Sequence, residues 1–366
     1  MKPLAVYTAI YADESLSSWL IRSALNQGSE PLILTSYYWP LHRLWTYDID
    51  RDLSAINPKI YNDMAELLGY DNYNFHNHSL EFYLHVINVS TNTTGIMPWV
   101  LPRSSRNRKC RLGQFFCPLC LQDTNTRYLK NDWRISWIIG CVRHGVLLHN
   151  RCGSCGQLYQ PQLLQQGCLD ISYCYHCRSK VYFAITPTDM NRYQLDMQKS
   201  LQQTLIIGQG EFLGEIISAK EWFMVLRYFL FLLRKTSNCI SQYGVNRFIE
   251  SLGIDLNHLH QKKIGLPFEL LSNIERLNLL SLAYQIMQIS KTKFSESLMC
   301  DQFTQNMFRY DREAKYPEIL EKYFQLLPLP ERRNSRMLRE KQQVSVSSST
   351  IQRKWDRLKW RYYLNQ

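Results

Sequence analysis

The stretch FCPLCLQDTNTRYLKNDWRISWIIGCVRHGVLLHNRCGSCG (residues 116–156), together with CYHC (residues 174–177), decides how this chain is organised. It contains four pairs of potential metal ligands, and two residues separate the members of each pair. This spacing is typical of zinc ribbons and fingers, because a tight turn lets both members of a pair reach one ion. The pairs are Cys117 with Cys120, Cys141 with His144, Cys152 with Cys155, and Cys174 with Cys177.

The longer gaps group these pairs into two metal sites. Twenty residues separate the first pair from the second, and eighteen separate the third from the fourth. Sequential pairing is the simplest arrangement, but a cross-braced one would use the same eight ligands. Either arrangement closes a tetrahedral shell and leaves no position for an activated water, so the pattern predicts two structural Zn²⁺ ions.

Catalytic zinc motifs are missing from the sequence. It contains no HExxH, and no HxE followed by PCxxC, so zinc hydrolases and nucleoside deaminases lack their acid–base group here. No glycine loop that could cradle a phosphate is present either. These observations predict a protein that is not an enzyme.

The number of cysteines and the N-terminal sequence indicate the cellular compartment. The chain has 11 cysteines, an odd number, and its N-terminal MKPLAVYTAIYADESL lacks the apolar run of a secretory signal. Metal binding in the cytoplasm is therefore favoured over a disulfide framework. Four cysteines have no ligand at two-residue spacing and are predicted as small apolar residues: Cys110, Cys168, Cys239 and Cys300. His149 and His176 flank the ligands and are predicted at the surface.

Charge suggests the class of partner. The chain of 366 residues has 43 Lys and Arg against 31 Asp and Glu, a formal net charge of +12. About +9 remains once seven thiolates and two zinc ions are counted. A basic balance of this size favours polyanionic partners such as nucleic acid. No run of about 18 apolar residues is present, so no membrane span is predicted.

Periodicity predicts a mainly α protein. Residues 13–27 fit a helix capped by Asp13, and residues 60–68 fit a second helix ended by Gly69. After Pro187 apolar residues recur at helical spacing in four segments, at 222–233, 246–252, 268–289 and 317–326. The predicted order is a helical N-terminal domain (1–96), a double zinc-ribbon or zinc-finger module (97–183), a helical domain (184–330) and a basic tail (331–366).

Two basic segments are candidates for contact with nucleic acid. One precedes the first ligand pair, and the other is the tail segment MLREKQQVSVSSSTIQRKWDRLKW (residues 337–360). The tail has the form of a helix-turn-helix whose recognition helix spans residues 348–362. A solvated charged helix that docks on the core or on a partner explains it equally well. The candidate contact residues are Arg106, Arg108, Lys109, Arg353, Lys354, Arg357 and Arg361.

Three segments resemble the TniQ/TnsD family of bacterial transposon target-selection proteins. They are DESLSSWLIRSA (residues 13–24), FCPLC, and YLKNDWRISWIIGCVRHGVLLHNRCGSCG (residues 128–156). The resemblance covers about the first half of the chain. It implies an adaptor that recruits an AAA+ transposition regulator ATPase, and through it the transposase, to a chosen DNA site.

The resemblance leaves the kind of target open. Long TnsD members read attachment-site DNA through helix-turn-helix regions. Shorter TniQ members of CRISPR-associated transposons sit on a guide RNA–Cascade complex, in some systems as a homodimer. The length and the second CxxC…CxxC set fit the shorter kind, whereas the basic tail fits direct DNA binding. The alternative function is a zinc-ribbon or helix-turn-helix transcriptional regulator that binds a specific DNA sequence.

Overall fold

The structure, a computed structural model, describes most of the chain. The described residues are 3–51, 57–70, 73–89, 96–103, 112–236, 243–256, 266–299, 303–309 and 316–329, with Gln352 and Trp355. Helices dominate them and strands are few, which confirms the predicted mainly α class. The predicted helix-turn-helix (331–366) lies outside the described residues except for Gln352 and Trp355, which are both exposed.

Within the described residues, four α-helices precede the cysteine-rich module. They are α1 (Leu16–Asn26), α2 (Pro31–Tyr38), α3 (Pro58–Leu67) and α4 (Glu81–Val86). The predicted cap of α1 is wrong. Ser15 is the N-cap and its hydroxyl accepts from the Ser18 amide, whereas Asp13 lies outside the helix and binds Lys130 instead. Asp13 lies too far before the first helical turn to reach its free amides.

The cysteine-rich module consists mostly of turns around short elements. Helix α5 (Pro118–Gln122) leads into a two-stranded antiparallel sheet of β1 (Gly140–Cys141) and β2 (Val146–Leu147). Short 3-10 helices lie at Thr124–Thr126, Asn131–Arg134 and Pro161–Leu163. The module has little regular secondary structure that could enclose a hydrophobic core. Large buried side chains such as Trp133, Trp137 and Tyr159 fill its interior instead.

A helical half follows the module. Its elements are α6 (Arg192–Ile207), a hairpin of β3 (Gln209–Phe212) and β4 (Glu215–Ser218), α7 (Ala219–Thr236), α8 (Tyr243–Ser251), α9 (Asn273–Met287), α10 (Lys291–Met299), α11 (Gln305–Phe308) and α12 (Glu318–Phe324). No helix in the described ranges is long and apolar enough to cross a membrane.

Two predictions about this half need correction. The helix expected at 268–289 begins later: residues 268–270 form a 3-10 turn, and α9 starts after Ser272, which forms a capping box with Glu275. Helix α6 and the β3–β4 hairpin were not predicted at all. The capping box of Asn191 and Gln194 was the missed sequence signal for α6.

One hydrophobic core runs through all three parts. The rings of Trp99, Trp137 and Phe223 meet with centroid distances of 4.5–5.8 Å, which joins the module to α7. Glu269, fully buried, accepts hydrogen bonds from the Trp99 amide and from Arg227. The main core includes residues of α1, of α4, of the module and of the helical half as far as α12, whereas a second cluster packs α1 against α3. The four-part domain division stays a prediction.

A buried glutamine fastens α6 to the β1 strand. The Gln198 side chain is fully buried; its Oε1 accepts from the amides of Ile139 (2.8 Å) and Gly140 (3.0 Å), and its Nε2 donates to the Gly140 carbonyl (2.8 Å). Asn273, at the start of α9, donates to the carbonyls of Ile139 and Leu148. The helical half therefore holds the strand that carries Cys141.

Replacing Gln198 by Met should destabilise the protein by about 3 kcal/mol, because buried backbone groups that lose their partners cost about 1–3 kcal/mol each. Urea unfolding followed by circular dichroism measures the change. The matched control is Gln203→Met on the exposed side of the same helix, which should change stability by less than about 0.5 kcal/mol. Equal effects of the two substitutions would show that the glutamine does not fasten the strand.

Candidate metal centres

The first centre gathers Cys117, Cys120, Cys141 and His144. Their ligand atoms all lie within 4.8 Å of one another. The Nδ1 atom of His144 is 3.4 Å from the sulfur of Cys117, 3.3 Å from that of Cys120 and 3.6 Å from that of Cys141. The sulfurs of Cys120 and Cys141 are 3.7 Å apart. The imidazole therefore presents Nδ1 to the three sulfurs.

These distances match a tetrahedral zinc site. With Zn–S bonds of about 2.3 Å and a Zn–N bond of about 2.0 Å, a tetrahedron places sulfurs about 3.8 Å apart and sulfur about 3.5 Å from nitrogen. A disulfide would need about 2.05 Å between sulfurs. The first centre therefore has the donor set and the spacing of a four-coordinate metal site.

The second centre gathers Cys152, Cys155, Cys174 and Cys177. The sulfurs of Cys152 and Cys177 are 3.7 Å apart, as are those of Cys155 and Cys174. Four sulfurs at this spacing fit the same tetrahedron. The two centres thus group the eight predicted residues in sequential order, and the cross-braced arrangement that the sequence left open is not the one observed.

A shared turn positions three of the four ligand pairs. After each pair, the amide of the next residue donates to the carbonyl of the first cysteine: Gly145 to Cys141, Gly156 to Cys152 and Arg178 to Cys174. The three donating residues all have φ between 60° and 70°. Glycine adopts this left-handed conformation without cost, so the glycines after the second and third pairs were a sequence signal for these turns.

The pair Cys117 and Cys120 is built differently. Cys117 precedes the first turn of α5, Pro118 occupies the first helical position, and Cys120 lies in the helix. A proline fits there because the first helical amides have no partner within the helix. Cys117 and Cys120 are fully buried and belong to the main core, so the first centre is part of that core.

The thiols of the first centre cannot all ionise without a cation. Hydrogen bonding with Cys117 and Cys141 raises the pKa of the Cys120 thiol, whereas hydrogen bonds from Cys117 and Cys120 lower the pKa of Cys141. The two shifts have opposite directions because each thiol is hydrogen-bonded with the other two. A metal ion that binds all three sulfurs must displace the remaining protons.

Among the described residues, none of the other residues singled out in the sequence belongs to either centre, and the rest lie beyond the described ranges. Cys168 is buried and belongs to neither cluster. His176 is exposed, whereas His149 is only partly exposed, with its Nε2 shielded from solvent and its backbone paired with that of Phe116. Outside the described residues are Cys110, Cys239, Cys300 and all seven nucleic-acid candidates: Arg106, Arg108, Lys109, Arg353, Lys354, Arg357 and Arg361.

Comparison with known proteins assigns the N-terminal part of the chain. Residues 6–148 match the TniQ family model, whereas no curated protein matches the chain. The matched segment contains α1–α5, both strands of the first sheet and all four residues of the first centre. TniQ is a non-catalytic accessory family of transposition. Residues 6–148 therefore carry a TniQ domain, which supports membership of the TniQ family.

Proposed function

We propose that this chain is a non-catalytic adaptor in transposition target selection. It links a target-recognition element, either a guide RNA–Cascade complex or attachment-site DNA, to an AAA+ transposition regulator. The observation that carries this proposal is the TniQ match over residues 6–148. That segment includes the first metal centre, whose cysteines belong to the main hydrophobic core. The same core contains side chains of the helical half, so it joins residues 6–148 to that half.

The two centres serve this role as structural zinc sites. The proposed ligands of the first ion are Cys117, Cys120, Cys141 and the Nδ1 atom of His144, and those of the second are Cys152, Cys155, Cys174 and Cys177. Four protein donors complete each tetrahedron, so neither ion offers a position to a reacting water. Zinc contributes stability here, which agrees with a protein that does not catalyse a reaction.

The adaptor role predicts a stable contact with the AAA+ regulator that is encoded by the same transposon as this chain. Immobilised full-length protein should retain that ATPase in the presence of ATP and target DNA, with an affinity near micromolar, about −8 kcal/mol. Denatured, zinc-stripped protein on the same support is the control for non-specific retention. The adaptor role would be overturned if the ATPase were retained under none of these conditions, with or without ATP, target DNA or Cascade.

A sequence-specific transcriptional regulator is the second candidate, and the net charge of +12 favours it. Such a protein would bind one DNA sequence on its own, with an affinity that falls steeply as salt rises because bound counterions are released. An adaptor mounted on Cascade would instead bind naked DNA weakly and without preference. A binding titration against random and candidate sites at several salt concentrations separates the regulator from an adaptor mounted on Cascade.

A further inference from the structure

The two candidate metal centres differ in which of their ligands lie near solvent. In the first centre the three cysteines are at most 3% exposed, and the half-buried ligand is His144. In the second centre Cys152 and Cys174 are at most 1% exposed, whereas Cys155 and Cys177 are half-buried. Cys152 and Cys174 belong to the main core, and the other two cysteines pack at its margin. The cysteine ligands nearest to solvent therefore belong to the second centre.

This difference decides which centre an oxidant can reach. Peroxides oxidise a thiolate sulfur to a sulfenic acid, which condenses with a second thiol to a disulfide, and susceptibility follows thiolate character and exposure. His144, the half-buried ligand of the first centre, offers an imidazole nitrogen and takes no part in this sulfur chemistry. In the second centre every ligand is a sulfur, and a zinc ligand must be a thiolate.

The second centre also places a partner thiolate beside each half-buried cysteine. The sulfur of Cys177 is 3.7 Å from that of Cys152, and the sulfur of Cys155 is 3.7 Å from that of Cys174. Each pair thus joins one half-buried and one buried cysteine. A disulfide within a pair requires the two sulfurs to approach to about 2.05 Å.

Basic side chains flank the second centre in sequence. Arg151 precedes Cys152, and its Nη1 donates to the carbonyl of Gly156, directly after the third ligand pair, at 2.9 Å. Arg178 follows Cys177, and both arginines are exposed. Reactive cysteines are typically found in electropositive, partly exposed surroundings. These surroundings agree with a reactive second centre.

We propose that the second centre is a site of oxidation by peroxides, at which the half-buried Cys155 and Cys177 react first. Oxidation releases the second zinc ion, while the first centre keeps its own. The inference rests on the two zinc sites of the proposed function, but it does not require the adaptor role.

The chemistry balances with peroxide as the oxidant. The Cys177 thiolate attacks a peroxide oxygen, the O–O bond breaks, and the protonated leaving oxygen departs as water. The Cys152 thiolate then attacks the sulfenic sulfur, which forms the S–S bond and expels a second water after protonation. Cys155 and Cys174 react likewise with a second peroxide. For each zinc ion released, two peroxide molecules take four electrons from the four thiolates and four protons from solvent, and they leave as four waters.

The test is hydrogen peroxide added to the full-length zinc-loaded protein. Metal analysis comes first: fewer than two ions per chain would refute the proposed zinc sites themselves, independently of their oxidation. Zinc release is then followed with a colorimetric chelator, and disulfides are mapped by mass spectrometry of unreduced peptides. We expect one ion to leave about tenfold or more faster than the other, because exposure controls oxidation. The first disulfides should join cysteines of the second centre, and dithiothreitol with zinc should restore two ions.

Two reciprocal substitutions sharpen the test. The double variant Cys155→His and Cys177→His replaces both half-buried sulfurs by imidazoles, which also bind zinc, and should slow the fast release. The matched control His144→Cys gives the first centre a half-buried sulfur and should speed the release of its ion. Zinc content before oxidation shows whether each variant still binds two ions, and the wild-type disulfide map tests the proposal without any variant.

Three results would overturn the proposal. They are release of both ions from the wild type at the same rate, disulfides that form first at Cys117, Cys120 or Cys141, and peroxide treatment that releases no zinc.

Discussion

Replacing Cys120 by Ser should reduce the zinc content from about two ions per chain to about one and abolish the cooperative unfolding transition. Structural zinc contributes about 10–16 kcal/mol to the folding of small zinc domains, whereas a whole domain is stable by only about 5–15 kcal/mol. Cys120 is fully buried in the main core, and the strand that carries Cys141 is hydrogen-bonded to α6 and α9. Loss of the first ion should therefore unfold the helical half as well.

Zinc released into a colorimetric chelator and thermal melting by circular dichroism measure these two effects. Cys168→Ser is the matched control, because Cys168 is also buried but belongs to neither centre. It should keep two ions and lose about 1 kcal/mol, an ordinary cost for a core substitution. Two retained ions and an unchanged melting curve in the Cys120 variant would contradict the proposed first centre.

The substitution Cys174→Ser tests the second centre independently of the first. No described residue of α6–α12 forms a hydrogen bond with the segment 151–180 that surrounds the second centre. Cys174→Ser should therefore also lose one zinc ion, yet it should keep more of its helical signal at moderate temperature. If Cys120→Ser and Cys174→Ser lost the same amount of helical signal, the hydrogen bonds that join only the first centre to the helical half would have no effect on stability.

Replacing Arg134 by Met should destabilise the protein by about 3–5 kcal/mol, the usual cost of removing one partner from a buried ion pair. Arg134 is 1% exposed and donates to both oxygens of Asp48, to Asp50 and to the Leu101 carbonyl. Without it, the cations that the described residues leave to the two buried carboxylates are Arg51 and Arg103. Urea unfolding at pH 7 measures the loss.

The loss should depend on pH in a defined direction. Burial acts to raise the pKa of Asp48, but the charge of Arg134 and its hydrogen bonds outweigh this and lower the pKa below the ordinary value. A carboxyl with a lowered folded pKa contributes stability that is present above its unfolded pKa of about 3.9 and is lost as the pH falls further. The difference between wild type and variant should therefore be largest near neutral pH and shrink below about pH 4.

The control for this substitution is Arg192→Met on α6. Arg192 is 96% exposed and lies 3.7 Å from Asp196, so its ion pair is screened by water. It should change stability by less than about 0.5 kcal/mol at any pH. If Arg134→Met had no larger effect than Arg192→Met, the buried ion network would not stabilise the fold.

The candidate metal ligands and the fold class could be predicted from the sequence because both depend on local spacing. Two residues between cysteines place their sulfurs around one ion whatever surrounds them, so the eight residues of the centres were named before their geometry was known. Helical periodicity likewise identified α7 and α12 to within a few residues. The segments that carry the family resemblance are local too, and residues 6–148 match the TniQ family model.

Sites built by residues far apart in sequence were decided only by the tertiary structure. Gln198 meets Gly140 across 58 residues, Arg134 meets Asp48 across 86, and Asn131 meets Asn77 across 54. No spacing rule connects such partners, because the folded core alone brings them together and removes the water that would otherwise satisfy them. The sequence by itself thus determined the two clusters of candidate metal ligands and the mainly helical class. The tertiary structure decided how the helical half holds the first centre and which charges are buried as pairs.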